Sequence, residues 1–535
     1  MQRVASCLTA LLLLTPATFA DDPARELARA IDQALTADWA RQNVHPAPQA
    51  DDLAFLRRAS LDLVGQIPSL EEVQSFLRDN SANKREKLLD RLLASKQHAV
   101  HLASVTRTEW MPQSLGNFRL QLQGTEFEAW LEAQFQKNAH FDEIARAILE
   151  AEATVGQRGM IDFGNRRETG DKQALSAFYV VADGKPEEMA AMTSRLFLGI
   201  KLECAQCHDH PFAPYTREQF WEFAAFFGEF TPLSPVAPSF VGPLLPQFES
   251  NRITIPNTTR EVTARYFTGG EPVWKADRSP RRELADWLTV EGKPLFARNL
   301  ANRLWAHLFG IGLIDPIDEP GEANPPNHPA VLNVLTDAAI RTKYDLRVLL
   351  KGIALSRAYQ QTSRLTHPSQ SDLRQFARMP TKGLTGHQIY DSLLTATGQS
   401  ANILKETAQN RRFAANEAQG GTRGEFVSRF PQSNRRTESA TSILQSLMLM
   451  NGKFISSLTT EEKNPLVGRL ANSAGTSREA VELLFLSTLS RYPSRTERET
   501  FELYLESGGP AEDYSRAVGD LFWVLVNSTE FLLNH

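Results

Sequence analysis

The chain has 535 residues, 42% hydrophobic and 23% charged, with a formal net charge of -5. This is ordinary globular composition, and the length suggests two or more domains. The mild acidity is spread along the chain and excludes the basic patch or stripe of a nucleic-acid binder.

Residues 1–20 read as a secretory signal peptide. Arg3 supplies the basic start, Leu8 to Leu14 the apolar stretch, and Thr18 and Ala20 the small residues before Asp21-Asp22. The stretch is far shorter than the about 20 residues needed to span a bilayer. Cys7 precedes it rather than following it, so lipidation is rejected. No second apolar run is long enough for a transmembrane segment, and the mature chain is expected in the periplasm or outside the cell. That compartment permits disulfides and is where c-type haem is attached.

The periodicity predicts a mainly α protein. Helices are expected over 53–64, 70–77, 84–94, 126–136, 141–150 and 186–197, the second opened by the capping pair Ser69 and Glu72. Pro186 suits a first turn, and Gly199 ends that helix. Thr216 and Gln219 cap an aromatic helix, with residues 220–230 expected in the core. Prolines mark residues 231–280 as a junction, with short strands near 252–256 and 261–267. Helices resume at 281–289, 295–309, 330–342, 345–357 and 386–397, and residues 400–440 read as a polar loop. Capping pairs Thr476/Glu479 and Ser494/Glu497 precede a last helix over 514–533. The expected organisation is a helical domain at 21–230, a small β insertion at 231–280 and a second helical domain at 281–535.

Between the helices ending at Gly199 and starting after Thr216 lies Cys204-Ala205-Gln206-Cys207-His208, followed by Asp209-His210-Pro211. C-x-x-C-H is the attachment signature of c-type haem. Two thiols add to the vinyl groups, and the adjacent histidine ligates the iron. Cys204, Cys207 and His208 are therefore the candidate haem residues, with Asp209 or a nearby carbonyl orienting the second ring nitrogen of His208. Distal candidates are His98, His101, Met111, Met189 and Met192; His210 is too close to His208 to reach the opposite face. Three other readings stay open: a Cys204–Cys207 disulfide, a non-haem Zn or Fe site drawn from Cys204, Cys207, His208 and His210, and buried, chemically idle thiols.

These residues also carry a family resemblance. The chain resembles secreted planctomycete-type proteins that join a cytochrome c-like domain of unknown function to a planctomycete-specific domain of unknown function. The first half matches through Phe55-Leu56-Arg57-Arg58, Leu61-Asp62-Leu63, Gly65-Gln66-Ile67-Pro68 and the run Leu202 to Phe212. The second matches through Asn302 to Gly310, Gly312 to Asp318, Asn324 to Pro329, Ser356 to Gln360 and Asn527 to Phe531. The resemblance implies no established activity.

A second candidate constellation follows the apolar segment that holds His307. Asp315, Asp318, Glu319 and His328 lie in the next loop and have the residue types for metal binding or acid/base work. Three functions follow: an exported monohaem electron-transfer or redox protein with an unknown redox partner; a haem-free exported enzyme, such as one degrading polymers, built around His307, Asp315, Asp318 and His328; or a cell-envelope binding or structural protein with a metal or disulfide staple.

Overall fold

The computed structural model describes residues 22–112, 118–151, 154–155, 161–162, 171–211, 213–230, 251–267, 269–275, 278–399, 423, 426–427, 429–430, 437, 448–473 and 475–535. Residues 1–20, expected as a signal peptide, the Pro-rich run 231–250 and nearly all of the polar loop at 400–440 lie outside them.

The protein is mainly α-helical. The first half comprises α1 (Pro23–Gln42), α2 (Asp52–Leu63), α3 (Leu70–Arg78), α4 (Lys84–Ala94), α5 (Lys96–Trp110), α6 (Phe118–Gln136), α7 (Phe141–Leu149), α8 (Asp171–Val181), α9 (Pro186–Thr193) and α10 (Arg217–Ala224). The second begins with α11 (Pro280–Val290), α12 (Lys293–Phe309), α13 (Pro329–Arg341), α14 (Leu346–Leu355), α15 (Arg357–Gln360) and α16 (Gly386–Ala396). It ends in the helices Lys453–Ser457, Pro465–Ala471, Ser477–Thr488, Arg495–Glu506 and Tyr514–Val526. Among the described residues no helix is long and apolar enough to cross a membrane.

Side-chain caps set many helix starts. Ser69 accepts from the Glu72 N–H while Glu72 accepts from the Ser69 N–H; Ser494 with Glu497 repeats the arrangement. Helix α1 was not expected, although Asp22 caps it, Pro23 fills its first turn and Leu27, Ile31 and Leu35 repeat at helical spacing. The expected helix over 514–533 stops at Val526. The chain then turns so that Leu533–Asn534 can pair with Lys382–Gly383.

Among the described residues the strands are all short antiparallel pairs: β1 (Thr154–Val155) with β2 (Ile161–Asp162), β3 (Arg252–Thr254) with β4 (Glu261–Thr263), and β5 (Lys382–Gly383) with β6 (Leu533–Asn534). The β3–β4 hairpin is the expected insertion. It is shorter than expected because the chain turns back at once, with the Ile255 N–H donating to the Arg260 carbonyl at 2.9 Å.

Residues from both sides of the 231–280 junction fill one hydrophobic core, from Leu27 and Phe55 to Trp305, Leu350 and Tyr359. Helix α1 packs on α13 and α14. A second core collects residues 384–531 and takes in Leu61 and Ile67 from the first half.

Between these cores lies a group of charged residues with almost no solvent exposure. Arg57, Arg58, Asp62 and Lys382 are each at most 1% exposed. Asp62 Oδ1 accepts from Lys382 Nζ at 2.6 Å and from Asn534 Nδ2 at 2.8 Å, while Oδ2 accepts from the Tyr359 hydroxyl at 2.9 Å. Arg57 donates to the Thr488 and Phe531 carbonyls at 2.9 and 3.0 Å, and Arg58 to the Tyr359 carbonyl. Helix α2 is thereby tied to segments more than 290 positions away in sequence.

His98 is also buried, and its Nδ1–H donates to the Leu63 carbonyl at 2.7 Å. Burial pushes its imidazole down to about 4. An unfolded chain takes up this proton first, near its ordinary pKa of about 6.5. The stability due to neutral His98 is therefore complete above pH 6.5 and is lost as pH falls toward 4, by an order of about 3 kcal/mol. Urea unfolding across pH 4–7 should show this slope, and His98→Gln should reduce it.

Candidate functional site: the Cys-Ala-Gln-Cys-His turn

Helix α9 runs on as a π-helical turn, Ser194–Leu198, which Gly199 closes in the left-handed region at φ +68°. Glycine is required there twice over, because a Cβ would also stand 2.7 Å from Asn299 Oδ1. Asn299, on α12, donates from Nδ2 to the Leu196 carbonyl at 2.6 Å. The chain emerges at Lys201, whose N–H donates to the Asp318 carbonyl at 2.8 Å and whose Nζ pairs with Glu319 at 3.0 Å. The loop after α12 is thus docked three residues before Cys204.

Cys204 lies in a 3-10 turn, Glu203–Gln206, with Cys207 directly after it. Both thiols are exposed and not bonded to each other. Their exposure removes the buried-thiol reading: the apolar residues here, Leu202 and Ala205, point inward and turn the cysteines to solvent. His208 is exposed as well. Its Nδ1 lies 2.7 Å from the Asp209 carbonyl. A carbonyl only accepts, so Nδ1 carries the proton and neutral His208 presents the lone pair of Nε2.

The turn is held from helix α10 and the hairpin. The Arg217 N–H donates to Asp209 Oδ1 at 2.8 Å, Arg217 Nε to the Gln206 carbonyl at 3.3 Å, and Arg217 Nη2 to the Pro256 carbonyl at 2.8 Å. Trp221 Nε1 reaches the same Gln206 carbonyl at 3.0 Å. The Thr216–Gln219 capping box fixes the start of α10. Below it, Phe220, Phe223, Phe226 and Phe227 are fully buried, as the aromatic pattern predicts. Arg217→Ala should cost about 1–2 kcal/mol of local stability. Hydrogen exchange at residues 203–209 should quicken accordingly, with the core amides of α2 unchanged.

The donor set fits a c-type haem: two accessible, unpaired thiols with the attachment spacing and a histidine whose Nδ1–H is already committed to a carbonyl. The non-haem alternative is less well served. Among the described residues no three His, Cys, Asp or Glu side chains gather where they could hold a metal ion. His210 instead sets its ring edge-on to Tyr215 at 6.3 Å.

The second constellation is dispersed. His307 Nε2–H donates to the Asp62 carbonyl at 2.9 Å, beside the buried charged group. His328 is fully buried, with Nδ1 2.9 Å from Asp38 Oδ2 and Nε2 3.2 Å from the Arg374 carbonyl. Asp318 pairs with Arg303, and burial pushes its carboxyl up. Asp315 precedes a cis peptide bond to Pro316. Adjacency in the loop brought these residues together in the sequence, whereas the side chains of His307, Asp318 and His328 serve different neighbours. A shallow groove lined by Leu365, Thr366, His367, Pro368 and Ser371 contains none of the candidates.

Residues 30–231 match PSCyt2, described as a protein of unknown function (DUF1549), and residues 280–505 match PSD1, described as a protein of unknown function (DUF1553). The chain pairs two domains of unknown function. The Cys-Ala-Gln-Cys-His turn lies within the DUF1549 match, and the loop docked beside it within the DUF1553 match. No curated protein and no solved structure matches the chain.

Proposed function

We propose that this is an exported monohaem c-type protein serving electron transfer or redox chemistry. Cys204 and Cys207 would hold the haem, each by adding its S–H across a vinyl group, and His208 would be the protein ligand to its iron. Export is read from residues 1–20. The observation that carries the reading is the Nδ1–H of His208 on the Asp209 carbonyl at 2.7 Å, beside two exposed, unpaired thiols at attachment spacing. That arrangement leaves Nε2 to the iron, and a hydrogen-bonded Nδ1 makes the ring a better donor.

Bound haem supplies a one-electron couple at its iron. The chain's own residues orient it. Arg217 and Trp221 hold the Gln206 carbonyl, and Arg217 holds the Asp209 carboxylate, so the turn is fixed before attachment.

Intact mass tests the reading on protein exported by a host with a working haem-attachment system. The expected mass is that of the mature chain plus a haem, with the addition on the peptide holding Cys204 and Cys207. An unmodified mass from such a host would sink the proposal.

A further inference from the structure

The chain's histidines and methionines bear on what the iron would bind besides His208. We infer that a haem held at Cys204 and Cys207 has His208 as its one strong protein ligand and keeps its other axial position for a small diatomic ligand. This rests on the haem reading above and adds a ligand class to it.

His98 is 3% exposed, and its Nδ1–H is spent on the Leu63 carbonyl. His101 is wedged against Gly65 and faces His307 at 6.0 Å between ring centroids. Met111, Met189 and Met192 are at most 5% exposed within the first core. The attachment turn, in contrast, faces solvent. A haem on that turn therefore lies over the surface while these donors point into the core, and moving one outward would open a cavity. Loss of a buried methionine or leucine side chain costs about 2–5 kcal/mol. His210 lies two residues from His208, its main-chain N–H bonded to the Tyr215 carbonyl at 2.7 Å, and stays on the proximal side.

All eleven histidines are among the described residues. Of the methionines in the mature chain, Met160 alone lies outside them. An iron with one strong axial ligand leaves its distal surroundings to decide the chemistry, and ferrous iron then accepts a neutral diatomic molecule.

Carbon monoxide is the probe. The full-length haem-loaded protein, reduced without oxygen, should give a five-coordinate high-spin spectrum. Carbon monoxide should shift its Soret band at one equivalent per haem, and Met160→Leu should leave both observations unchanged. A six-coordinate low-spin ferrous spectrum that carbon monoxide does not alter would overturn the inference. So would conversion from low to high spin by Met160→Leu or His210→Gln, which would identify a sixth ligand. A pyridine haemochrome assay on the same sample separates these results from failure of the haem reading itself: without haem both proposals fall, whereas with haem only the coordination is in question.

Discussion

Replacing Asp62 by alanine should lower folding stability by about 3–5 kcal/mol, the cost of leaving a buried charge without its partner. Asp62 is the shared acceptor of Lys382, Asn534 and Tyr359, and neither it nor Lys382 has measurable exposure. Its loss strands the Lys382 ammonium with carbonyl partners such as Leu308 and frees the β5–β6 pair from α2. Replacing both charges, Asp62→Leu with Lys382→Met, should recover part of the loss, because apolar groups of similar volume remove the uncompensated charge. The measurement is the urea unfolding midpoint at pH 7. A loss of less than about 1 kcal/mol, the scale of an exposed ion pair, would contradict the role given to this group.

The second large effect is chemical. Changing Cys204→Ser and Cys207→Ser together should abolish covalent haem while leaving the haem-free fold within about 0.5 kcal/mol of the parent chain. The thiols are exposed and unbonded, so the fold gains nothing measurable from them. Haem content by absorbance after acid–acetone extraction gives the first result, and thermal unfolding of the haem-free forms gives the second. Haem that resists extraction from the double variant, or a much weaker haem-free fold, would each contradict this assignment.

These two sites differ in how far the sequence reveals them. The Cys-Ala-Gln-Cys-His turn is legible because its chemistry is local: two thiols and an imidazole within five residues, between a glycine helix stop and a threonine cap. The partner of His208 Nδ1 is local too, since it is the carbonyl of the next residue. The charged group around Asp62 is not legible from helical spacing, which gives the helix over 53–64 but no partners for Arg57, Arg58 and Asp62. All three are buried, and their partners, Tyr359, Lys382, Thr488, Phe531 and Asn534, lie hundreds of positions away. A signal was present: Phe55, Leu56, Ala59, Leu61 and Leu63 are apolar almost all round α2, the pattern of a helix buried on every side.

The loop after α12 taught the opposite lesson. Asp315, Asp318 and His328 looked like one site because they are neighbours in sequence, yet His328 is sunk against Asp38 of α1 and Asp318 against Arg303. The loop's main chain instead reaches the turn before Cys204. Side-chain direction separates Asp318 from His328, and direction depends on packing that spacing alone does not encode.

The pyridine haemochrome spectrum of protein exported by its native host, or by a host competent in cytochrome c maturation, tests the central claim most directly. Haem bound through two thioethers should survive extraction and give the c-type band. A colourless protein from a competent host would contradict the claim. Metal analysis and thiol titration of that sample would then distinguish a metal site from a Cys204–Cys207 disulfide.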